Sequence, residues 1–389
     1  MLIYSGQIIS NRDFILVGGI VISTTVNSRG YMYISSGGSA ISTTVNSRGY
    51  MYISSGGSAT ATTVNFGGAI TVSYGGRTTS TTVNDFGYMA VSYGGRATST
   101  TVNDYGEMRV YSGGSATSTT VKESGSIWVG GGGNATSTTV NRGGYMTVFR
   151  GSATSTTVNF GGGLYVSSGG YATSTTVNDS GYMATRGSAT STTVNPGGCM
   201  YVSSGGYVNN IQIAKGGEVV LYKGSRLDFR IVDQLSTADV LVNDWSLIVD
   251  EGASYTITVG QDQRNGVYQL AGGATNFTKD ITITVDGLGT IGTFTDGSGV
   301  IAFGDYTYTL GKTENGTLTL TVQGGLEPSE VPQGKPVIAG GNAIQIMADG
   351  TVKIHSAGGV TSPGRIDPNV WTLLDSGDFN RDGKDGLLW

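Results

Sequence analysis

The sequence predicts an all-β protein: a parallel β-helix, or β-solenoid, of 19-residue rungs followed by a small antiparallel β domain. Three observations predict it. First, the segment TTVN recurs with its Asn at 27, 46, 65, 84, 103, 141, 159, 178 and 195, and Lys122 takes the Asn place once. A fixed period of this size marks a solenoid in which each repeat is one turn of chain. Second, invariant apolar columns lie two residues apart with variable residues between them, the period of a strand with one buried face. Third, 66 of the 389 residues are Gly and only 13 % are charged. That composition excludes a helical or ordinary α/β protein.

Each element follows when the Asn is set at position zero. Position −1 is Val in every copy, from Val26 to Val194, and position +5 is Met, Ile or Leu, as in Met89, Met108 and Ile127. Position +7 is Ile or Val except at Thr185. The residues at +4 and +6 vary freely, for example Glu107 and Arg109. One strand is therefore x-M-x-V and the other A-T-S-T-T-V, joined by N-x-x-G and S-S-G-G turns. Strict alternation back from the inward Val predicts that −3 and −5 face the core and that −2 and −4 face solvent. Two repeats shorten near the S-S-G-G turn, at Phe149–Gly151 and Arg186–Gly187, and leave TTVN whole.

The solenoid is expected over 1–222, with atypical terminal rungs at Tyr4–Val17 and at 207–221, where Ile211, Ile213, Val219 and Leu221 take the inward places. Terminal repeats differ because an open end exposes core and strand edges. Residues 223–324 carry short alternating runs such as LDFRIV, SYTITVG and GTLTLTV, and read as a small sandwich-like domain. A Pro-containing stretch at 325–336 reads as a linker, and 337–389 as a further β-rich segment.

The charge pattern excludes nucleic acid as a partner. The formal net charge is −5, and no Lys/Arg stripe is available to neutralise phosphates. The longest apolar run, Phe14 to Ile22, is too short for a membrane span and lacks the basic segment that precedes a secretory leader. Residues 224–389 are also too few for a translocator barrel, so three alternatives stand: the chain is incomplete, export uses another route such as type I secretion, or the product is never exported. Cys199 stands alone at an outward +4 position, and no nucleophilic triad can be assembled around the single His355. The sharpest chemical motif is the run 378–386. Its oxygen-bearing Asp378, Asn380 and Asp382 occupy alternate places before Gly383, with the Lys384 carbonyl next, which is the pattern of a Ca²⁺ loop. Gly386 stands where a further Asp would strengthen it.

The repeat S-T-T-V-N-x-G-G followed by Y-M-x-V-S-S-G-G resembles the AIDA-type repeats of self-associating bacterial autotransporter adhesins, over about residues 20–222. The resemblance implies a non-enzymatic β-helical passenger outside the cell or at its surface. Such a passenger acts in adhesion, auto-aggregation or biofilm, with other copies of itself or with surface glycans and proteins as partners. It also implies that a dedicated heptosyltransferase glycosylates hydroxyls of the repeat. By position these are Ser42, Thr44, Ser80, Thr82, Ser99, Thr101, Ser118, Thr120, Ser137, Thr139, Ser155, Thr157, Ser174, Thr176, Ser191 and Thr193. The Thr at −3 is expected to be spared, being turned inward. The segment from Gly377 to Trp389 is similar to an FG-GAP repeat of integrin-like propellers, which implies Ca²⁺ as a cofactor. Two other classes compete. A polysaccharide-acting β-helix enzyme needs an acid/base cluster, and the outward columns offer only scattered charges such as Arg77, Arg96, Glu107 and Arg109. An ice-binding solenoid needs a flat Thr array, which sugars or Tyr would spoil.

Overall fold

The computed structural model describes residues 3–10, 14–232, 234 and 239–324, and further on the strands 337–339, 342–346, 351–356, 359–365, 375–377 and 386–388. From Ile3 to Val285 the chain winds as a parallel solenoid with two sheets. One sheet stacks 13 strands of the x-M-x-V type; at about 4.8 Å per rung it spans roughly 60 Å. The other collects the shorter strands around TTV and merges into single seven-residue strands at Tyr171–Val177, Ser188–Val194 and Tyr207–Ile213.

Stacking is in strict register. Val83 lies against Val102, Met89 against Met108 and Val91 against Val110, so each column pairs with itself one rung on. All six of these side chains are fully buried. The shortened repeats keep the register: Thr136 pairs with Thr154 and Val140 with Val158, the missing residue being absorbed at the corner around Arg150. The core is therefore one continuous column of Val, Met, Ile and Ala, and it holds the rod by burial that each rung shares only with its neighbours.

Two corners close each rung. At the first, Gly87 N–H donates to the Asn84 carbonyl at 2.7 Å, and the third turn residue, Phe86, has φ 51°. At the second, Gly95 N–H donates to the Ser92 carbonyl at 2.8 Å, with both Tyr93 (φ 45°) and Gly94 (φ 80°) left-handed, the pattern of a type I′ turn. Along the first corner the Asn side chains form a ladder. Each Nδ2 donates to the Oδ1 of the preceding rung at 2.7–3.0 Å, from Asn27 through Asn103 and again from Asn141 through Asn195. Lys122 interrupts it.

Three expectations need correction. The −5 residue does not face the core: Ile41, Thr60, Thr79 and Thr98 are all exposed, and Ala40, Ala59, Thr78 and Ala97 at −6 are buried instead. The cause is the Ser at −4, which adopts φ near +55° in rung after rung. This left-handed residue breaks the alternation, so −5 and −4 both point outward before −3 turns in. The rung at 207–221 is not terminal either. Its inward residues are as expected, but Arg226–Arg230, Ser254–Val259 and Ile281–Val285 add further parallel strands to one sheet and Ile248–Glu251 adds one to the other. Antiparallel pairing thus enters well after residue 222, first with the strand Gly266–Ala271 and then with Gly289–Phe294. A four-stranded antiparallel sheet follows, ordered Gly266–Ala271, Leu318–Gln323, Tyr306–Lys312, Gly299–Phe303. At the other end, the expected atypical first rung is present: Ile3–Ser5, Ile8–Ile9 and Phe14–Val17 pair with the rung that follows.

Candidate functional site: the hydroxyl ladder

The solvent face of the TTV-bearing sheet carries three parallel columns of side-chain hydroxyls. The Thr at −2 are half-buried and pair rung to rung from Thr25 and Thr44 to Thr176 and Thr193. The Ser at −4 stand at the apex of the left-handed bend and are exposed at 42, 80, 99, 118, 137, 155 and 174, with Ser191 half-buried. The Thr at −5, absent from the sequence-based set, join them as a third column.

The apex is fixed by the backbone. The N–H of each −4 residue donates to the −5 carbonyl of the next rung, as Ser80 to Thr98 at 3.0 Å and Ser99 to Thr117 at 2.9 Å. With the amide committed to the neighbouring rung, the side chain must project away from the core. Among the described residues only Ser191 of this column engages its hydroxyl, as acceptor from Asn210 Nδ2 at 3.2 Å. A left-handed L-residue costs about 1–2 kcal/mol that Gly avoids. Nevertheless, nine of the ten apices carry Ser, and Ala61 is the exception. The bend alone does not account for a hydroxyl there.

The Thr at −3 are different. From Thr24 to Thr192 they are 1 % exposed, and their hydroxyls have no hydrogen-bond partner. They line the interior, out of reach of any enzyme acting on the folded rod, as expected from the sequence.

Among solved structures, the crystal structure of a TibC-catalysed hyper-glycosylated fragment of TibA is similar to this chain, with a TM-score of 0.52 and 38 % sequence identity over 68 % of this chain and 90 % of that fragment. The chain belongs to the TibA family of AIDA-type repeat β-solenoids. No family model and no curated protein matches it.

The other site residues read from the sequence fare differently. Asp378, Asn380, Asp382 and Lys384 lie outside the described residues. Among the described residues no group of three His, Cys, Asp or Glu side chains is placed to hold a metal ion. Cys199 is half-buried at its +4 place, with Sγ 3.8 Å from Glu218 Oε2. The only helix among the described residues is the short turn Trp245–Leu247, and no helix is long and apolar enough to cross a membrane.

Beyond the repeats, stacking assembles a polar cluster that the sequence did not reveal. Asp228 is 3 % exposed; it accepts hydrogen bonds from the Tyr207 hydroxyl at 2.6 Å and from Thr258 Oγ1 at 2.9 Å, while Arg226 lies over the Tyr207 ring. The partners are far apart in sequence and meet only because rungs stack, so no local motif announces them. Burial pushes the Asp228 carboxyl above the ordinary carboxylate range, against the opposing pull of the Tyr207 and Thr258 donors and of Arg226. Burial and the Asp228 carboxylate together push the Tyr207 phenol up to about 12.

A pH dependence follows. With the folded carboxyl titrating above its unfolded value of 3.8, the folded chain binds the extra proton in the window between the two values, and stability falls as pH rises through it. Asp228→Asn keeps an acceptor for Tyr207 and removes the titration. Urea midpoints measured from acid to neutral pH are expected to decline through that window in the wild type and to decline less in the variant. Parallel profiles would show that the carboxyl titrates at its ordinary value.

Proposed function

We propose that this protein is an extracellular adhesin and self-association module whose −4 serines, with the −2 threonines beside them, are O-glycosylated by a heptosyltransferase acting on the folded rod. The observation that carries the reading is the retention of a hydroxyl at a left-handed apex where Gly would be cheaper, repeated at rung spacing along one face. The glycosylated state of the TibA fragment supports it. Each hydroxyl oxygen would attack the anomeric carbon of a nucleotide-activated sugar, the bond from that carbon to the phosphate oxygen would break so that the nucleoside diphosphate leaves, and the hydroxyl proton would pass to a base of the transferase. The product is a row of sugars set about 4.8 Å apart, in which avidity replaces single-site affinity. This role places the chain outside the cell or at its surface, in auto-aggregation or biofilm, with other copies of itself or surface glycans as partners.

Intact mass tests the modification. Protein made with its transferase is expected to exceed the bare 40.0 kDa chain by multiples of one sugar unit. Replacing Ser80, Ser99 and Ser118 by Ala is expected to remove up to three of those units while the β-sheet circular dichroism is unchanged. A native mass equal to the bare chain would refute glycosylation. Loss of no unit from the triple variant would move the acceptors to other columns.

A further inference from the structure

The two corners of the rod carry opposite charge and the same exposed aromatic chemistry over the same few rungs. At the first corner, Phe66, Phe86 and Tyr105 are 58–60 % exposed; Phe86 stacks on Tyr105 with ring centroids 5.2 Å apart and meets Phe66 edge to face at 5.6 Å, and Asp85 and Asp104 stand beside them. At the second corner, Tyr74 and Tyr93 are 66 % and 63 % exposed and stack at 5.5 Å, and Arg77 and Arg96 follow in paired register. None of these four charged residues forms a salt bridge within the chain among the described residues.

The aromatics are not there for the turns. Tyr74, Tyr93, Phe86 and Tyr105 all have φ between 45° and 51°, a left-handed conformation that is unfavourable for a bulky residue. The same turn positions hold Ser36 and Ser55 or Arg29 and Arg48 in earlier rungs. Bulky exposed aromatics held in this conformation on adjacent rungs, where smaller or polar residues serve elsewhere, point to a contact surface.

We propose that the second corner of one rod docks on the first corner of a second copy of this chain. This rests on the self-association reading above and assigns the surface that performs it. The two corners lie at opposite ends of strands such as Tyr88–Val91, so a sideways shift of one copy brings Tyr74 and Tyr93 against Phe86 and Tyr105 of the next. Arg77 and Arg96 repeat at one rung, as do Asp85 and Asp104, so the two charge rows match in spacing. Like corners repel, because Arg would face Arg or Asp would face Asp. The contact is therefore heterologous, and repetition gives an open row of parallel rods rather than a closed dimer.

The test uses the full chain made without any glycosyltransferase, since neither corner includes the hydroxyl columns. Sedimentation velocity at low salt is expected to show concentration-dependent oligomers that shrink at high salt. Arg77→Glu with Arg96→Glu makes both corners acidic, and Asp85→Arg with Asp104→Arg makes both basic. Each pair of changes is expected to weaken assembly by about tenfold or more, and a 1:1 mixture of the two variants to restore it. All four positions are on the surface, and unchanged melting would confirm folding. A wild type that stays monomeric at every concentration would overturn self-association itself. Variants that assemble as the wild type does, or a mixture that fails to recover, would overturn the corner pairing while leaving self-association standing.

Discussion

Met108→Asp is expected to unfold the central rungs under conditions where the wild type is intact, while Glu107→Lys one residue earlier leaves the melting curve nearly unchanged. Met108 is fully buried and packs in column between Met89 and Ile127. The substitution removes that packing, a class of change worth about 2–5 kcal/mol, and leaves an unpaired carboxylate that costs several more. A domain holds only about 5–15 kcal/mol in total. Glu107 is on the outward face of the same strand and loses only its exposed salt bridge to Arg109, worth about 0–1 kcal/mol. Thermal melting followed by circular dichroism reads both variants. Equal losses would mean that the strand does not alternate as the structure places it.

The second large effect is expected at Gly95. It is not a left-handed position. Its requirement is space: a Cβ there would sit 2.2 Å from the carbonyl oxygen of Val72 on the rung before and 2.9 Å from that of Ser92. Both atoms are backbone and cannot swing aside, so Gly95→Ala must push two rungs apart at the corner. Destabilisation of about 3 kcal/mol, at the upper end of overpacking, is expected. The neighbouring Gly94 is the control. It has φ 80° and only a backbone nitrogen at 3.6 Å from its Cβ place, so Gly94→Ala meets backbone strain alone, about 1–2 kcal/mol. Comparable losses at the two positions would show that turn conformation, not rung contact, sets the spacing.

These two variants also show what the sequence could and could not convey. The Met108 column was legible because burial leaves a composition signature: apolar residues repeat there while Glu107 and its equivalents drift. Gly95 was legible as the last residue of the S-S-G-G-type turn, but the Val72 carbonyl it touches belongs to another rung. The inversion at −5 was hidden because it depends on a backbone choice at Ser99 and its equivalents, and Ser at −4 also fits an ordinary strand. The parallel strands beyond residue 222 were hidden for another reason. Leu227, Phe229 and Ile257 fill the same core as Val102 and Met108, but no repeated TTVN marks their register, and alternation alone does not distinguish parallel from antiparallel neighbours. The hydroxyl face was readable in part: its −4 and −2 columns follow from counting, whereas the third column and the apex geometry do not.

Lys122 has a consequence for how the molecule comes apart. The side-chain amides donate in one direction along the axis, so each bond polarises the next and the run behaves as a cooperative filament. Lys122 cuts that filament into one segment from Asn27 to Asn103 and another from Asn141 to Asn195. Backbone pairing and core packing continue across the cut, through Val102, Val121 and Val140, but the junction lacks the extra bonds that reinforce the steps on either side of it. In a structure whose stability is a sum over nearest neighbours, the cheapest boundary between folded and unfolded chain sits where the coupling is weakest. Pulled from its ends or warmed slowly, the repeat array is expected to part at this seam, the half that remains closed keeping its face intact while the other is lost.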